Sequence, residues 1–276
     1  MNARLSAAQV AAVDAWRSPP QGALQAHPDE LAVEEPLEIR VAGEALAVTM
    51  RTPGHDHELV AGFLLAEGLI RSRVDLGGIH HCGRPGAEGA HNTIDVLPGP
   101  GAVLDLEATR RGTLTTSACG MCGRKLIEDL LQRLRPAPPS PPVRRSFIAQ
   151  LTGELQKQQP SFQRTGGLHA AGIALANSGL HVVREDVGRH NAVDKAIGRV
   201  LLDDRLPAHG ALLVVSGRTS FEIVQKALAA GLSGVVGVSA PSSLAVSTAA
   251  RFGLLLCGFA RGEAFNVYAG AERLID

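Results

Sequence analysis

The chain has 276 residues, 27 of them basic and 27 acidic, so its formal net charge is zero; it carries four cysteines and few aromatics (7 Phe, 1 Trp, 1 Tyr). That length suggests about two domains and buries roughly three quarters of the unfolded surface, so no disulfide or metal staple is needed, and four cysteines are too few for a disulfide scaffold. Balanced charge and scarce aromatics argue against a nucleic-acid binder, and no apolar run approaches the roughly 20 residues of a membrane span. MNARLSAAQVAAVDAW has no apolar core of signal-peptide type, so the expectation is a soluble protein of the reducing cytoplasm.

Residues 1–29 are Ala-rich, interrupted by Ser18-Pro19-Pro20, and read as a loosely ordered extension. A small α+β domain is expected over 30–110. Apolar alternation on both sides of Ala42-Gly43-Glu44 predicts a hairpin over 37–50, and Leu59, Val60, Phe63 and Leu64 predict a helix over 57–70. Strands are expected at 78–81, 92–97 and 103–108. A second domain is expected over 111–276, with a helix over 124–134 and a stiff crossover at 136–142, where five of seven residues are proline.

From residue 163 short apolar strands alternate with helices. Strands are read at 173–177, 180–183, 211–215, 235–238 and 254–258, and helices at 191–202, 220–230 and 243–252. Such alternation predicts a largely parallel sheet with helices on its faces and a ligand crevice beyond the strand ends. The loops after Val183, Val215, Val238 and Gly258 are therefore the ones to watch, and they carry Arg184, Arg189, Arg218 and Arg261.

Ser117-Ala118-Cys119-Gly120-Met121-Cys122-Gly123 is a C-x-x-C ahead of the 124–134 helix. A helix N-terminus and the neighbouring Arg124 and Lys125 stabilise a thiolate, so Cys119 is the candidate nucleophile and Cys122 its companion. Three chemistries fit. A zinc site needs two further ligands, for which His80, His81 and Cys82 are candidates. A thioredoxin-like dithiol reductase expects its motif early in a β-α-β unit. A persulfide carrier needs only a reactive thiolate. His55-Asp56-His57-Glu58 contains metal-capable residues but also reads as an ordinary helix start with Asp56 as N-cap, and Cys257, in an apolar strand, reads as a buried inert thiol.

Thr165-Gly166-Gly167-Leu168-His169 places a histidine beside paired glycines that let backbone approach a ligand. The deaminase pattern H-x-E with P-C-x-x-C is absent, since Ala171 and Ala118 occupy the diagnostic positions. Ser216-Gly217-Arg218-Thr219 opens a helix with an expected capping box from Thr219 to Glu222, a geometry suited to phosphate. Neither a Walker motif nor G-x-G-x-x-G occurs. The expected pocket holds phosphates by arginine and backbone without hydrolysing them.

SACGMCG at 117–123, TGGLHAAGIA at 165–174, REDVGRHNAVDKAIG at 184–198, SGRTSFEIVQKA at 216–227, VVGVSAPSSLAV at 235–246 and GFARGEAFNVY at 258–268 together resemble the formate dehydrogenase accessory sulfurtransferases, the FdhD family. The resemblance implies a cytidine deaminase-like α/β/α domain with a smaller α+β N-terminal domain. It implies a sulfurtransferase that takes sulfur from a cysteine desulfurase as a persulfide on Cys119. The acceptor implied is the molybdenum cofactor, bis-molybdopterin guanine dinucleotide, before that cofactor enters the formate dehydrogenase apoprotein. By position Phe259, Ala260, Arg261, Gly262, Glu263 and Ala264 match the stretch assigned to cofactor contact, and Ser216, Gly217, Arg218, Thr219, His169 and Arg189 are the added candidates. No resident metal, nucleic acid or membrane partner is expected, and a homodimer is compatible with the reading. A cofactor chaperone without sulfur chemistry is the alternative of another class, with the dithiol oxidoreductase beside it.

Overall fold

The computed structural model describes residues 9–83, 91–106, 131–132, 134–175 and 178–276. Residues 10–29, expected as part of a loose extension, belong instead to an antiparallel hairpin of β1 (Val10–Arg17) and β2 (Gln25–Ala32). Its exposed face shows no regular apolar alternation, and its anchorage comes from outside: Arg164 Nε donates to Glu30 at 2.9 Å and Ser161 Oγ to Gln9 at 3.0 Å.

The hairpin over 37–50 is present as β3 (Glu35–Val41) and β4 (Glu44–Arg51). Ala42 and Gly43 both have positive φ (50° and 83°), as a two-residue hairpin turn with the twist of its strands requires. With β5 (Leu76–His81) and β6 (Thr93–Pro98) they make a four-stranded sheet, order β4-β3-β6-β5. The strand expected at 103–108 does not form over 103–105, and 107–108 lie outside the described residues. α1 (Asp56–Ala66) buries Leu59, Val60 and Leu64 between this sheet and the larger one.

The larger sheet contains β8 (His169–Leu175), β9 (Gly179–Asp186), β10 (Leu212–Val215), β11 (Gly234–Gly237), β12 (Leu255–Arg261) and β13 (Ala264–Ala269), in the order β13-β12-β11-β10-β8-β9. A largely parallel sheet was expected, but only β10–β11 and β11–β12 pair in parallel. The short links between β8 and β9 and between β12 and β13 permit only hairpins, because a parallel connection needs a crossover of a dozen or more residues. A two-residue parallel pair, β7 (Val143–Arg144) with β14 (Leu274–Ile275), ties the C-terminus to the following helix.

That helix, α2 (Arg145–Lys157), and the short α3 (Pro160–Thr165) were not expected, although Ile148, Leu151 and Leu155 recur at helical spacing. α4 (Arg189–Leu202), α5 (Phe221–Ala229) and α6 (Ser243–Arg251) agree with the sequence reading within two residues. Alternation along β10 divides the core into layers. Leu213 and Val215 face α1, α4 and α5, whereas Leu212 and Val214 face Ile148, Leu151 and Leu155 of α2.

α1 and α4 cross so closely that only glycine fits at the contact. A Cβ on Gly62 would lie 2.0 Å from the Asp194 carbonyl oxygen, and one on Gly198 1.8 Å from that of Glu58. Beside the crossing, Arg184 clasps Glu58 with contacts of 2.5 and 2.8 Å. Burial pushes the Glu58 carboxyl up, but hydrogen bonds from Arg184 and His55 outweigh it and hold the pKa at about 2, against 4.5 ordinarily. The folded state therefore keeps a charge that the unfolded chain loses near pH 4.5. The resulting stability, roughly 3 kcal/mol, is whole above that pH and is lost as pH falls toward 2. Glu58→Gln is expected to lower stability at neutral pH and to flatten its decline across that acid window. Urea midpoints at a series of pH values check this; an unchanged acid limb would remove the pair from the account.

Candidate functional site

Three of the strand-end loops meet the start of β8, because β8 runs antiparallel to β10 and so begins where β10 ends. The register sets Ala171 opposite Val215, which brings His169 to Ser216 across 47 residues of sequence. The Ala170 N–H donates to Ser216 Oγ at 2.9 Å, and the Ser216 N–H to the Ala170 carbonyl at 3.0 Å. Gly217 stands directly beside the imidazole, since a Cβ there would be 3.4 Å from His169 Nδ1.

Around this junction opens a cavity of about 690 Å³. Its strand-end side is polar, with His169, Ser216 and Arg261; Val238, Ala260 and Gly262 complete that rim. Its other side is built by Thr152, Gly153, Leu155 and Gln156 of α2, with Gln159, Phe162 and the Gly166–Leu168 turn following. Concave, mainly apolar walls with a few converging polar groups are the usual form of a small-molecule site.

A second, cationic locus adjoins His169. Burial lowers the His169 pKa, and the positive charges of Arg189, His190 and Arg218 lower it further. Arg189 begins α4, and its buried Nε has no hydrogen-bond partner among the described residues. His190 Nε2 contacts Glu222 at 2.7 Å, which holds the Glu222 carboxyl below its ordinary range. Ser220 Oγ lies 3.5 Å from the same His190 nitrogen. Because serine and glutamate meet one nitrogen and not the two ring ends, this trio is not a hydrolytic relay.

The expected residues therefore divide. His169, Ser216, Ala260, Arg261 and Gly262 line the cavity, and Gly217 backs it. Arg189 and Arg218 stand outside the cavity lining and act on His169 through their charge. Thr219 is fully buried and latches the loops through backbone bonds, its N–H to Ala240 at 3.2 Å and its carbonyl from Ser242 at 2.9 Å. The expected capping box does not form: Ser220 is the N-cap and Glu222 is taken by His190. Phe259 is exposed with φ 52°, and it, Glu263 and Ala264 stand outside the cavity wall. Arg184 belongs to Glu58 and not to an anion site. Asp56 is not an N-cap; it takes Nε and Nη2 of the buried Arg51 at 3.1 and 3.2 Å. Burial pushes the Cys257 thiol up to about 12, as suits an inert core group. Cys119 and Cys122 lie outside the described residues.

Sequence reasoning missed the α2 side of the cavity. The signal available was the Ile148–Leu151–Leu155 spacing, which marks a helix with one face on the sheet and so a second face to wall a crevice.

Comparison with known proteins bears on the whole of this architecture. The model of the FdhD/NarQ family matches residues 32–275. A relative from Anaeromyxobacter dehalogenans, named sulfur carrier protein FdhD, is 53% identical over 256 residues, covering 89% of this chain and 88% of that one. A second of the same name, from Streptomyces coelicolor, is 48% identical over 258 residues and covers 92% of each. The crystal structure of a protein from Desulfotalea psychrophila, described as a formate dehydrogenase accessory protein, shares the fold. Its TM-score is 0.77 over 97% of this chain and all of that one, at 24% identity. With one family model spanning both larger sheets and every wall of the cavity, and relatives near half identical, the chain belongs to the FdhD/NarQ family.

Proposed function

We propose that this protein is a sulfur carrier that serves formate dehydrogenase. Sulfur arrives from a cysteine desulfurase as a persulfide on Cys119 and leaves to bis-molybdopterin guanine dinucleotide before that cofactor enters the apoenzyme. The observation that carries the reading is the strand-end cavity. It gathers His169, Ser216 and Arg261 from three separate segments into one polar rim beside an apolar wall, suited to a nucleotide-bearing acceptor. The shared name of the relatives supports sulfur transfer. The layering of α2 on one sheet face and α4–α6 on the other supports the cytidine deaminase-like reading of the larger unit. A reducing cytoplasm is the compartment in which an unprotected C-x-x-C stays a thiol.

The transfer balances as follows. The Cys119 thiolate attacks the outer sulfur of the donor persulfide, the donor's S–S bond breaks, and the donor leaves as a thiolate. Attack by the Cys122 thiolate on the inner sulfur of the Cys119 persulfide then forms the Cys119–Cys122 disulfide and releases hydrosulfide at the acceptor. A cellular thiol reductant returns the pair to its starting state. Mass spectrometry of the full chain after incubation with a cysteine desulfurase and cysteine is expected to show one added sulfur atom on Cys119. A chain that binds the cofactor and never gains sulfur is a chaperone and not a carrier.

A further inference from the structure

The two metal-capable stretches of the sequence, His55-Asp56-His57-Glu58 and His80-His81-Cys82, come together in the fold. His57, on the first turn of α1, meets His81, at the end of β5, edge to face with ring centroids 5.3 Å apart. His91, just ahead of β6, meets His81 in the same way at 5.2 Å. Among the described residues no three such groups are placed to hold a metal ion, and none of the three rings lines the strand-end cavity. His81 is the middle member of the row, and its surroundings decide what the row does.

The Nδ1 of His81 is buried with no hydrogen-bond partner among the described residues. Its Nε2 faces Asp56 Oδ2 at 3.6 Å, too long for a hydrogen bond, and both Asp56 oxygens are already taken by Arg51 at 3.1 and 3.2 Å. Arg51, fully buried, also donates to Glu35 at 3.2 Å, to the His91 carbonyl at 3.1 Å and to Asn92 at 3.2 Å, so it fastens β3, β4, α1 and the start of β6 at one point. A neutral His81 ring fits this setting and an imidazolium does not. The imidazolium has two N–H donors, one without an acceptor and one aimed at a carboxylate that Arg51 already holds. Of the charged and titratable groups around it, Asp56 alone attracts the proton. Burial and the positive charges of His57, His91 and Arg51 outweigh Asp56 and lower the His81 pKa. We infer that His81 is a proton switch on the seam between α1 and the β5–β6 pair: the seam is closed while the ring is neutral and loosens when the ring takes up a proton. Thr52 follows Arg51, and its N–H and carbonyl are held by Asp186 and Lys195, so what loosens the seam acts directly on the anchor of α4. The folded state resists a proton that the unfolded chain accepts near pH 6.5, so the seam keeps its full stability above that pH and loses it as the pH falls below. The Glu58 pair weakens only below about pH 4.5, so the two acid windows are separate.

The test is amide hydrogen exchange of the full chain, read on the β5–β6 pair and the first turn of α1 and corrected for the intrinsic effect of pH. Between about pH 7.5 and about pH 5.5 the protection of these amides is expected to fall by up to about tenfold, the factor set by a histidine that titrates near 6.5 once the seam is open. His81→Gln cannot take up the proton and is expected to show the same protection at both pH values. The double variant His57→Ala with His91→Ala leaves His81 in place and removes two flanking charges, so its fall is expected to be smaller than that of the wild type. Constant protection in the wild type overturns the inference. So does an undiminished fall in His81→Gln, because another group then carries it. Should His81→Gln not fold, the double variant decides, and a fall as large as that of the wild type overturns the switch.

Discussion

A strain whose only copy of this protein carries Cys119→Ala is expected to make formate dehydrogenase with activity reduced to background, although the enzyme and its cofactor are both synthesised. Alanine removes the nucleophile outright. Cys122 alone can accept a persulfide but has no partner thiol to expel the sulfur. Cys257 is sealed in the core with its thiol pushed up to about 12, so it supplies no thiolate at neutral pH. Cys119→Ser is expected to fail equally, because a hydroxyl forms no persulfide. The assay is formate-dependent dye reduction in extracts, together with GDP titration of the purified variant. GDP binding is expected to match the wild type, since every described residue of the cavity wall is unchanged. Normal formate dehydrogenase activity with Cys119→Ala would sink the carrier role. Under a pure chaperone, the damaging substitution would instead be Arg261→Gln.

Lys195→Ala is expected to cost about 3–5 kcal/mol, a large part of the 5–15 kcal/mol by which a typical protein is stable. Lys195 and Asp186 are both fully buried, 2.7 Å apart. They do more than pair with each other. Lys195 Nζ donates to the Thr52 carbonyl at 2.7 Å, and Asp186 accepts the Thr52 N–H at 3.2 Å, so both backbone groups of one residue at the end of β4 are held by the larger sheet and α4. The other Asp186 oxygen accepts the Gly188 N–H at 2.8 Å and the Asn191 amide at 3.1 Å, which sets the first turn of α4 where Arg189 and His190 begin. Removing Lys195 leaves a carboxylate and a carbonyl buried without their cation. The double variant Asp186→Asn with Lys195→Met is expected to lose less than Lys195→Ala alone, because the net worth of a buried pair is small once neither charge remains. Urea unfolding of the three proteins decides it. A Lys195→Ala loss below about 1 kcal/mol would show that the pair does not hold the two sheets together.

The REDVGRHNAVDKAIG segment shows how a motif with a functional look can be mostly architecture. Arg184 clasps Glu58, Glu185 accepts the Ser161 and Phe162 N–H groups at the start of α3, Asp186 holds Thr52, Asp194 takes Lys226 at 2.7 Å, and Gly198 admits α1. Of its charged residues, Arg189 and His190 act on the site, by lowering the pKa of His169 through their charge.

Local sequence determined the elements whose burial is periodic. The 37–50 hairpin, α4, α5 and α6 were legible because each turns one face to a core, an imbalance written at spacings of two or three to four residues, and the short strands of the larger sheet because continuous apolar runs mark strands covered on both faces. Tertiary structure alone decided what those elements meet. His169 joins Ser216 because β8 pairs antiparallel with β10, and Arg184 leaves the anion-binding set because Glu58 of α1 reaches it first. Thr219 turns inward to latch two loops, and the hairpin of residues 10–32 gains its order from partners more than 100 residues away. Burial periodicity records which face of a segment is covered and carries no record of which distant segment covers it, so the partners become visible only when the chain is packed.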